Sequence, residues 1–530
     1  MSLSRPPRRA AVRPPLLVLA LLLGATLAAC GSNASSGGVT AGSSSRASSV
    51  GSGSTRIPAA LTIGSSQKIL TLDPDLAADG YSEGIVHLIG GNLYELEADK
   101  QVRPQLAAAG RASGDGLTWT FQLRAGLRFS DGTPLTSQDV KDTIERAKRD
   151  RENVYGGFVA PIARIDAPSP TTVVMHLSRP YPSLPVVLSQ PEMTILPSQG
   201  LAKGKSFFDA PVSAGPYKLQ SWGGSPRATL VRNPSYAGSA PAVKRLTFQT
   251  IDDFNARYAQ VQSGQLDFAT DIPSRLLAHP PSGTVAALTP HYGFITLPLN
   301  VNSKPLNEVG VRQAIAKAID RSQLDQVVWN GGLTPIADFW PSTMSGYDKS
   351  ISTARDVAGA KAALRGTSCE RGCTVHMMYS AANPWAEPTA TIVAQNLKDV
   401  GITVKLEKLD DPTFNQRLGD IHYQIAESFL YDYNDVPDGM LTYAMTADGG
   451  LNANFTGWKP GADVQRAVEQ AITQGGAART QALAEVNRLF LKYQPFITLS
   501  DYAVGSISRY APSVVKTNEA GFVDAARKGA

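Results

Sequence analysis

The chain has 530 residues, of which 42% are hydrophobic and 18% charged, with 50 Lys and Arg against 45 Asp and Glu and a formal net charge of +5. That length exceeds the ~250–300 residues at which a single core stops growing, so two or three lobes are expected. So balanced a charge supplies no basic field to attract nucleic acid and no acidic tail, and the composition is that of an ordinary soluble globular protein.

In chain order, Arg5, Arg8, Arg9 and Arg13 precede the apolar run Leu16–Leu23, which ends in Leu27-Ala28-Ala29-Cys30. A basic segment, a short apolar run and small residues make a secretory signal, and the run is well short of the ~20 residues a membrane span needs. A cysteine directly after the small residues, followed by Gly31-Ser32, resembles the lipobox of bacterial lipoproteins. The resemblance implies a signal peptide over 1–29, cleavage before Cys30, and acylation of that residue. All charges in the signal are arginines, so its removal lowers the formal charge from +5 to +1. Residues 30–56 are rich in Gly and Ser and have almost nothing to bury. They read as a flexible tether with a reach of roughly 25–30 Å.

The folded part is expected from Ile57. The stretch Leu117–Leu123 alternates as a strand does, read with Trp119 and Phe121 on one face and the leucines on the other. Thr136-Ser137-Gln138-Asp139 offers a capping-box-like start to a helix running to Arg149. Thr172–Leu177 is a second strand. One helix is expected over Val311–Leu324, with Val311, Ala314, Ile315, Ala318 and Ile319 on a common face. Another over Thr389–Val400 is closed by Gly401, a natural residue after a helix end, and leads into a strand at Ile402–Leu406. Helical patterns also cover 461–474 and 478–493. Mixed α/β elements with 36 prolines argue against a simple βαβ barrel or dinucleotide-binding chain.

Two of the three cysteines, Cys369 and Cys373, remain once Cys30 is set aside. An even remainder outside the cytoplasm suggests a small structural disulfide, with Gly372 supplying a tight turn. A zinc site would need two further ligands where only His376 is near, and a thioredoxin-like centre would have two intervening residues rather than three.

Gly80-Tyr81-Ser82-Glu83-Gly84 matches the nucleophile elbow of hydrolases, but no strand precedes Ser82, so a surface serine hydrolase is a remote alternative. Gly200–Ser206 falls one residue short of a phosphate-binding loop. The histidines His87, His176, His279, His291, His376 and His422 are dispersed and form no ligating pair. Neither catalysis nor a metal or other cofactor is expected.

The segment from Leu117 to Val140, which contains Arg124-Ala125-Gly126-Leu127-Arg128-Phe129-Ser130-Asp131-Gly132-Thr133-Pro134, closely resembles the signature of the extracellular solute-binding proteins of family 5, the oligopeptide-, dipeptide- and nickel-binding receptors of ABC importers. Further landmarks follow in that family's order: Leu72-Asp73-Pro74, Asn92-Leu93-Tyr94-Glu95, Ala214-Gly215-Pro216-Tyr217, Arg232-Asn233-Pro234-Ser235-Tyr236, Val261–Asp267, Val311–Ile315 with Ala318–Arg321, and Asp432-Tyr433-Asn434-Asp435.

The resemblance implies an α/β, two-lobed periplasmic-binding-protein-like fold of the class with an extra domain and a hinge between the lobes. Lobe I would be discontinuous over 57–84, 197–292 and 496–530. The extra domain would cover 85–196 and lobe II 293–495. It also implies a monomeric receptor that captures di- or oligopeptides outside the membrane, is held to the bilayer through Cys30, and delivers its cargo to an ABC permease. The same fold could instead take a metal chelate, haem, a sugar or a modified peptide. In peptide-binding members the aspartate of the acidic loop pairs with the ligand's α-amino group, which by position is Asp432, with Tyr433 and Asn434 beside it. Some members carry an arginine and a tryptophan before that loop, where this chain has Ala426 or Glu427 and Phe429. Arg417 is then the nearest candidate for a ligand carboxylate. Tyr94, Trp385, Phe429, Tyr431 and Tyr433 are the aromatics that could line the cleft.

Overall fold

The structure is a computed structural model that describes residues 48–77, 79–97, 101–150, 153, 155–381, 383, 385–431, 437–446, 451–518 and 523–525. Among these, two strands are much longer than the rest: Val285–Pro298 and Phe496–Ser508. They pair antiparallel along their whole length and link the two lobes. In their first half Val285–Pro290 lies against Ala503–Ser508, and in their second half Phe294–Pro298 lies against Phe496–Asp501. Between the halves, residues 291–293 stand opposite Tyr502 alone. Extra residues on one strand bend a ladder and increase its twist, so the bulge marks where the sheet passes from one lobe to the other.

On the first side of the crossing, the sheet continues through Phe268–Ala269, Ala60–Ser65, Arg245–Thr250, Arg227–Arg232 and Tyr217–Ser221. Ala60–Ser65 runs parallel to Arg245–Thr250, and Leu61, Ile63, Leu246 and Phe248 fill the core beneath them. On the second side, Ser428–Tyr431 pairs with Gly293–Thr296. Packed there are Phe339 against Trp340, with ring centroids 4.5 Å apart, and Phe490 against Phe496 at 4.9 Å.

The extra domain is built on a four-stranded antiparallel sheet in the order Ala107–Ala112, Thr118–Leu123, Thr172–Leu177, Ile162–Ser169. Trp119 stacks on Phe121, and Phe121 and Leu123 are both buried. The period of two therefore puts Trp119, Phe121 and Leu123 on one face, which corrects the split expected from the sequence. The turn after this strand is set by Asp131, whose carboxylate accepts the Thr133 N–H at 2.9 Å, and by Gly132 at φ 89°. The helix Ser137–Arg149 follows. Its Asp139 carboxylate accepts the Thr136 N–H at 2.8 Å, which satisfies a donor at the helix start.

The helix expected over Val311–Leu324 is two helices, Val309–Ala318 and Arg321–Trp329. Ile319 is extended, and the Asp320 carboxylate caps the second helix by accepting the Gln323 N–H at 2.9 Å. Apolar spacing carries on through the break, whereas the local aspartate cap competes with helix continuation. Arg312 and Arg321 are buried on either side of it and donate to backbone carbonyls, Arg312 to Leu306, Tyr493 and Gln494, and Arg321 to Ala316, Ile336 and Thr498. The helix near Thr389 starts earlier than expected and covers Ala386–Lys398, followed by Gly401 at φ 88°. The last two helices are Ala462–Thr473 and Gly476–Tyr493.

Candidate functional site

In lobe II a three-stranded parallel sheet has the order Ile402–Leu409, Cys373–Ser380, Ile425–Ala426. From the central strand the chain runs through helix Ala386–Lys398 to the strand on one side. From there it passes through helix Asp411–Gly419 to the strand on the other side. The first connection leads outward from the central strand and the second returns past it to its other side, so the carboxyl ends of Cys373–Ser380 and Ile425–Ala426 form a topological switch point. Such a switch point is where open α/β sheets bind ligands.

Two side chains meet at that end. Trp385 immediately precedes its helix, Glu427 immediately follows its strand, and Trp385 Nε1 donates to Glu427 Oε1 at 3.1 Å. Glu427 is fully buried, its N–H donates to the Met378 carbonyl at 3.2 Å, and its Oε2 has no hydrogen-bond partner among the described residues. Burial raises the carboxyl's pKa to about 7, and the tryptophan N–H offsets this only in part.

Two positions on, Phe429 stacks on Tyr502 with centroids 5.3 Å apart and planes 12° apart. Tyr502 stands opposite the bulge and meets the His291 ring edge-on at 5.5 Å. The aromatic row thus joins lobe II to the crossing strands. His291 is buried, its Nε2 has no hydrogen-bond partner among the described residues, and burial lowers its pKa to about 4. Beside Tyr502 in sequence, the Asp501 carboxylate accepts both the N–H and the hydroxyl of Ser342, and burial raises its pKa to about 6.

A second polar cluster brings Ser183 together with Asp438 and Arg479. Ser183 donates its hydroxyl to Asp438, and Arg479 donates to the other oxygen of that carboxylate at 2.7 Å. Asp438 is buried near the start of helix Pro437–Met445, where burial raises its pKa and Arg479 opposes the shift. Arg179 of the extra domain also pairs with Glu469 of helix Ala462–Thr473.

The other residues singled out from the sequence lie in several places. Tyr431 ends the strand that pairs with Gly293 of the crossing. Asp432, Tyr433 and Asn434 lie outside the described residues, as do Asp435 and Cys30. Arg417 pairs with Glu407 at 2.7 Å and donates to the His422 carbonyl. Tyr94 is buried in the extra domain, edge-on to Phe121 at 6.0 Å, and a Cβ at Gly110 would overlap its hydroxyl. Cys369 and Cys373 have Cα atoms 4.9 Å apart, with Gly372 between them at φ 101°. Ser82 is fully buried in the first turn of helix Gly80–Ile89, and its hydroxyl accepts the N–H groups of Leu70 and Thr71. That is the geometry of a structural serine. Glu427, Tyr502 and His291 received no ligand-facing role from sequence reasoning. The one available signal was an acid standing in the apolar run Gln424–Tyr431.

Among the described residues no helix is long and apolar enough to cross a membrane, and no three His, Cys, Asp or Glu are grouped to hold a metal ion.

Residues 101–451 match the family model described as bacterial extracellular solute-binding proteins, family 5 middle. The probable D,D-dipeptide-binding periplasmic protein DdpA of Escherichia coli K12 is 28% identical over 457 residues, covering 83% of this chain and 88% of that protein. The dipeptide-binding protein of Pseudoalteromonas sp. SM9913, solved with Met-Leu, superposes with a TM-score of 0.77 at 18% identity over 88% of this chain and 100% of its own. NikA of Staphylococcus aureus, solved with Ni(L-His)2, superposes with a TM-score of 0.73 at 18% identity, over 88% and 99% of the two chains.

Proposed function

Because the chain belongs to the bacterial extracellular solute-binding proteins of family 5, we propose that it is the peptide-capturing receptor of an ABC importer, which takes di- or oligopeptides outside the membrane and hands them to a permease. The observation that supports this reading is the switch point of the parallel sheet Ile402–Leu409, Cys373–Ser380, Ile425–Ala426, joined by Phe429 and Tyr502 to the two long paired strands. Closure of two lobes about such strands is a hinge transition around a ligand. A peptide held there gains main-chain hydrogen bonds as an added strand, which gives affinity with little regard to side chains. Asp432 supplies the carboxylate for the peptide's α-amino group through a charge-assisted bond, and Tyr431, Tyr433, Asn434, Phe429 and Trp385 contribute further ligand contacts. Arg417 and Tyr94 are weaker contributors, since Arg417 already pairs with Glu407 and Tyr94 is packed in a domain core.

In this reading the protein works as a monomer without catalysis or cofactor, with lobes and extra domain divided as the family resemblance implies. It is anchored by acylated Cys30, and the Gly/Ser segment keeps it near its permease at raised effective concentration, although the tether expected over 30–56 is shortened because Ser48–Gly51 pairs as a strand with Val285–Leu288. Cys369 and Cys373 form a disulfide that closes the turn at Gly372. Native mass spectrometry of protein purified without refolding tests the cargo: a co-purifying mass that fragments as a peptide is expected, and a metal chelate there would replace the peptide reading. The likeness to a receptor solved with Ni(L-His)2 makes that second reading specific.

A further inference from the structure

Glu427 is a fully buried acid with no partner cation among the described residues. Its Oε1 takes the Trp385 N–H at 3.1 Å, and its Oε2 has no hydrogen-bond partner among the described residues. Several charged groups on the surrounding elements are engaged elsewhere. Glu387 of the Trp385 helix pairs with Lys408 of the neighbouring strand at 2.7 Å, and Arg417 pairs with Glu407 at 2.7 Å. Asp501 on the crossing strands is held by Ser342, Asp438 beyond the acidic loop is held by Arg479, and His291 is a buried neutral ring. Asp432 and Asp435 follow Glu427 in sequence, outside the described residues. A buried carboxyl without a countercharge is costly when ionised, and a cation that reaches it forms a strong charge-assisted pair. The group sits at the carboxyl end of a parallel strand, at the topological switch point, two residues before the Phe429–Tyr502 stack.

We propose that Glu427 selects solutes carrying an amine or guanidine: the cation enters at the switch point beside Trp385 and pairs with the Glu427 carboxylate, while the carboxyl proton leaves to solvent. The inference rests on the reading of the chain as a solute receptor and adds a chemical preference to it. Trp385 orients the carboxylate through Oε1 and leaves Oε2 for the ligand. Its indole also provides an aromatic face near the incoming cation.

Calorimetric titration with matched tripeptides tests this, with lysine or norleucine placed at each position in turn and the N terminus free or acetylated. The wild-type protein is expected to bind the best lysine peptide about 10–100-fold tighter than its norleucine twin, the worth of a charged hydrogen bond. At pH 6 it should also release more protons with the lysine peptide, as judged in two buffers of different ionisation enthalpy. Glu427→Gln should bring the twins to within about twofold and abolish the extra release. Twins bound equally by the wild type, or a preference that survives in Glu427→Gln, overturns the proposal while leaving peptide binding intact. If Glu427→Gln fails to fold, equal proton release by the twins on the wild type overturns it. Binding of neither twin at any position overturns the peptide reading and this proposal together.

Discussion

Trp385 Nε1 and Glu427 Oε1 lie 3.1 Å apart although the residues are 42 positions apart in sequence. The bond closes the carboxyl end of a parallel sheet with one residue from each side of its switch point. Its consequence for stability has a definite sign. The Glu427 pKa is about 7 in the folded chain against 4.5 as its ordinary value, so the unfolded chain loses this proton first as pH rises. The stabilisation is therefore complete below pH 4.5 and declines through pH 7, by on the order of 3 kcal/mol. Urea unfolding of Glu427→Gln at several pH values should show a stability difference from wild type that moves in favour of the variant across this window. A pH-independent difference would contradict the buried, proton-holding carboxyl.

His291 acts in the opposite direction. Its pKa falls from 6.5 to about 4 on burial, so the unfolded chain takes up a proton that the folded chain refuses. Its contribution is fully present above pH 6.5 and is lost as pH falls towards 4. Between pH 4.5 and 6.5 the two groups oppose each other, so removing either one exposes the slope of the other. His291→Gln should lose the acid-side decline and Glu427→Gln should steepen it. Parallel pH profiles for the two variants would contradict this assignment.

Ser183 and Asp438 are 255 positions apart in sequence, and their contact is secured by Arg479. If closure traps the ligand, this cluster forms in the bound state. Ser183→Ala should then weaken peptide affinity about 10–100-fold through loss of a hydrogen bond to a carboxylate. Arg479→Met, which strands the buried Asp438, should cost about 3–5 kcal/mol of stability. Unchanged affinity in Ser183→Ala would show that the contact is not linked to ligand capture.

Asp432→Asn should weaken a peptide with a free amino terminus by about 1.5–3 kcal/mol, the range for hydrogen bonds to charged groups. The acetylated form of the same peptide should bind both proteins alike. Equal losses for both forms would remove Asp432 from amino-terminal recognition.

What could be read from the sequence was mostly what holds the fold. Asp131-Gly132-Thr133-Pro134 and Thr136–Asp139 form the turn and the helix start that their residue types dictate, because those bonds are local. Arg312 and Arg321, part of a family-like string, turn out to hold backbone carbonyls, Arg321 that of Thr498 on a crossing strand. Asp320 ended a helix that apolar spacing alone would have continued. The Trp385–Glu427 pair was not legible, because it depends on two connections returning to opposite sides of one strand. Nor was the row of Phe429, Tyr502 and His291, drawn from three strands that meet only through the long-range register of the sheet.

Thermal unfolding of the mature protein against a panel of di- to octapeptides, with the nickel–histidine complex as comparison, tests the receptor reading most directly. At a hundredfold excess over Kd, a bound peptide adds about 2.7 kcal/mol of stability. The account predicts an upward shift in Tm for at least one peptide and no turnover of it. No shift with any peptide, alongside a clear shift with the nickel complex, would contradict it.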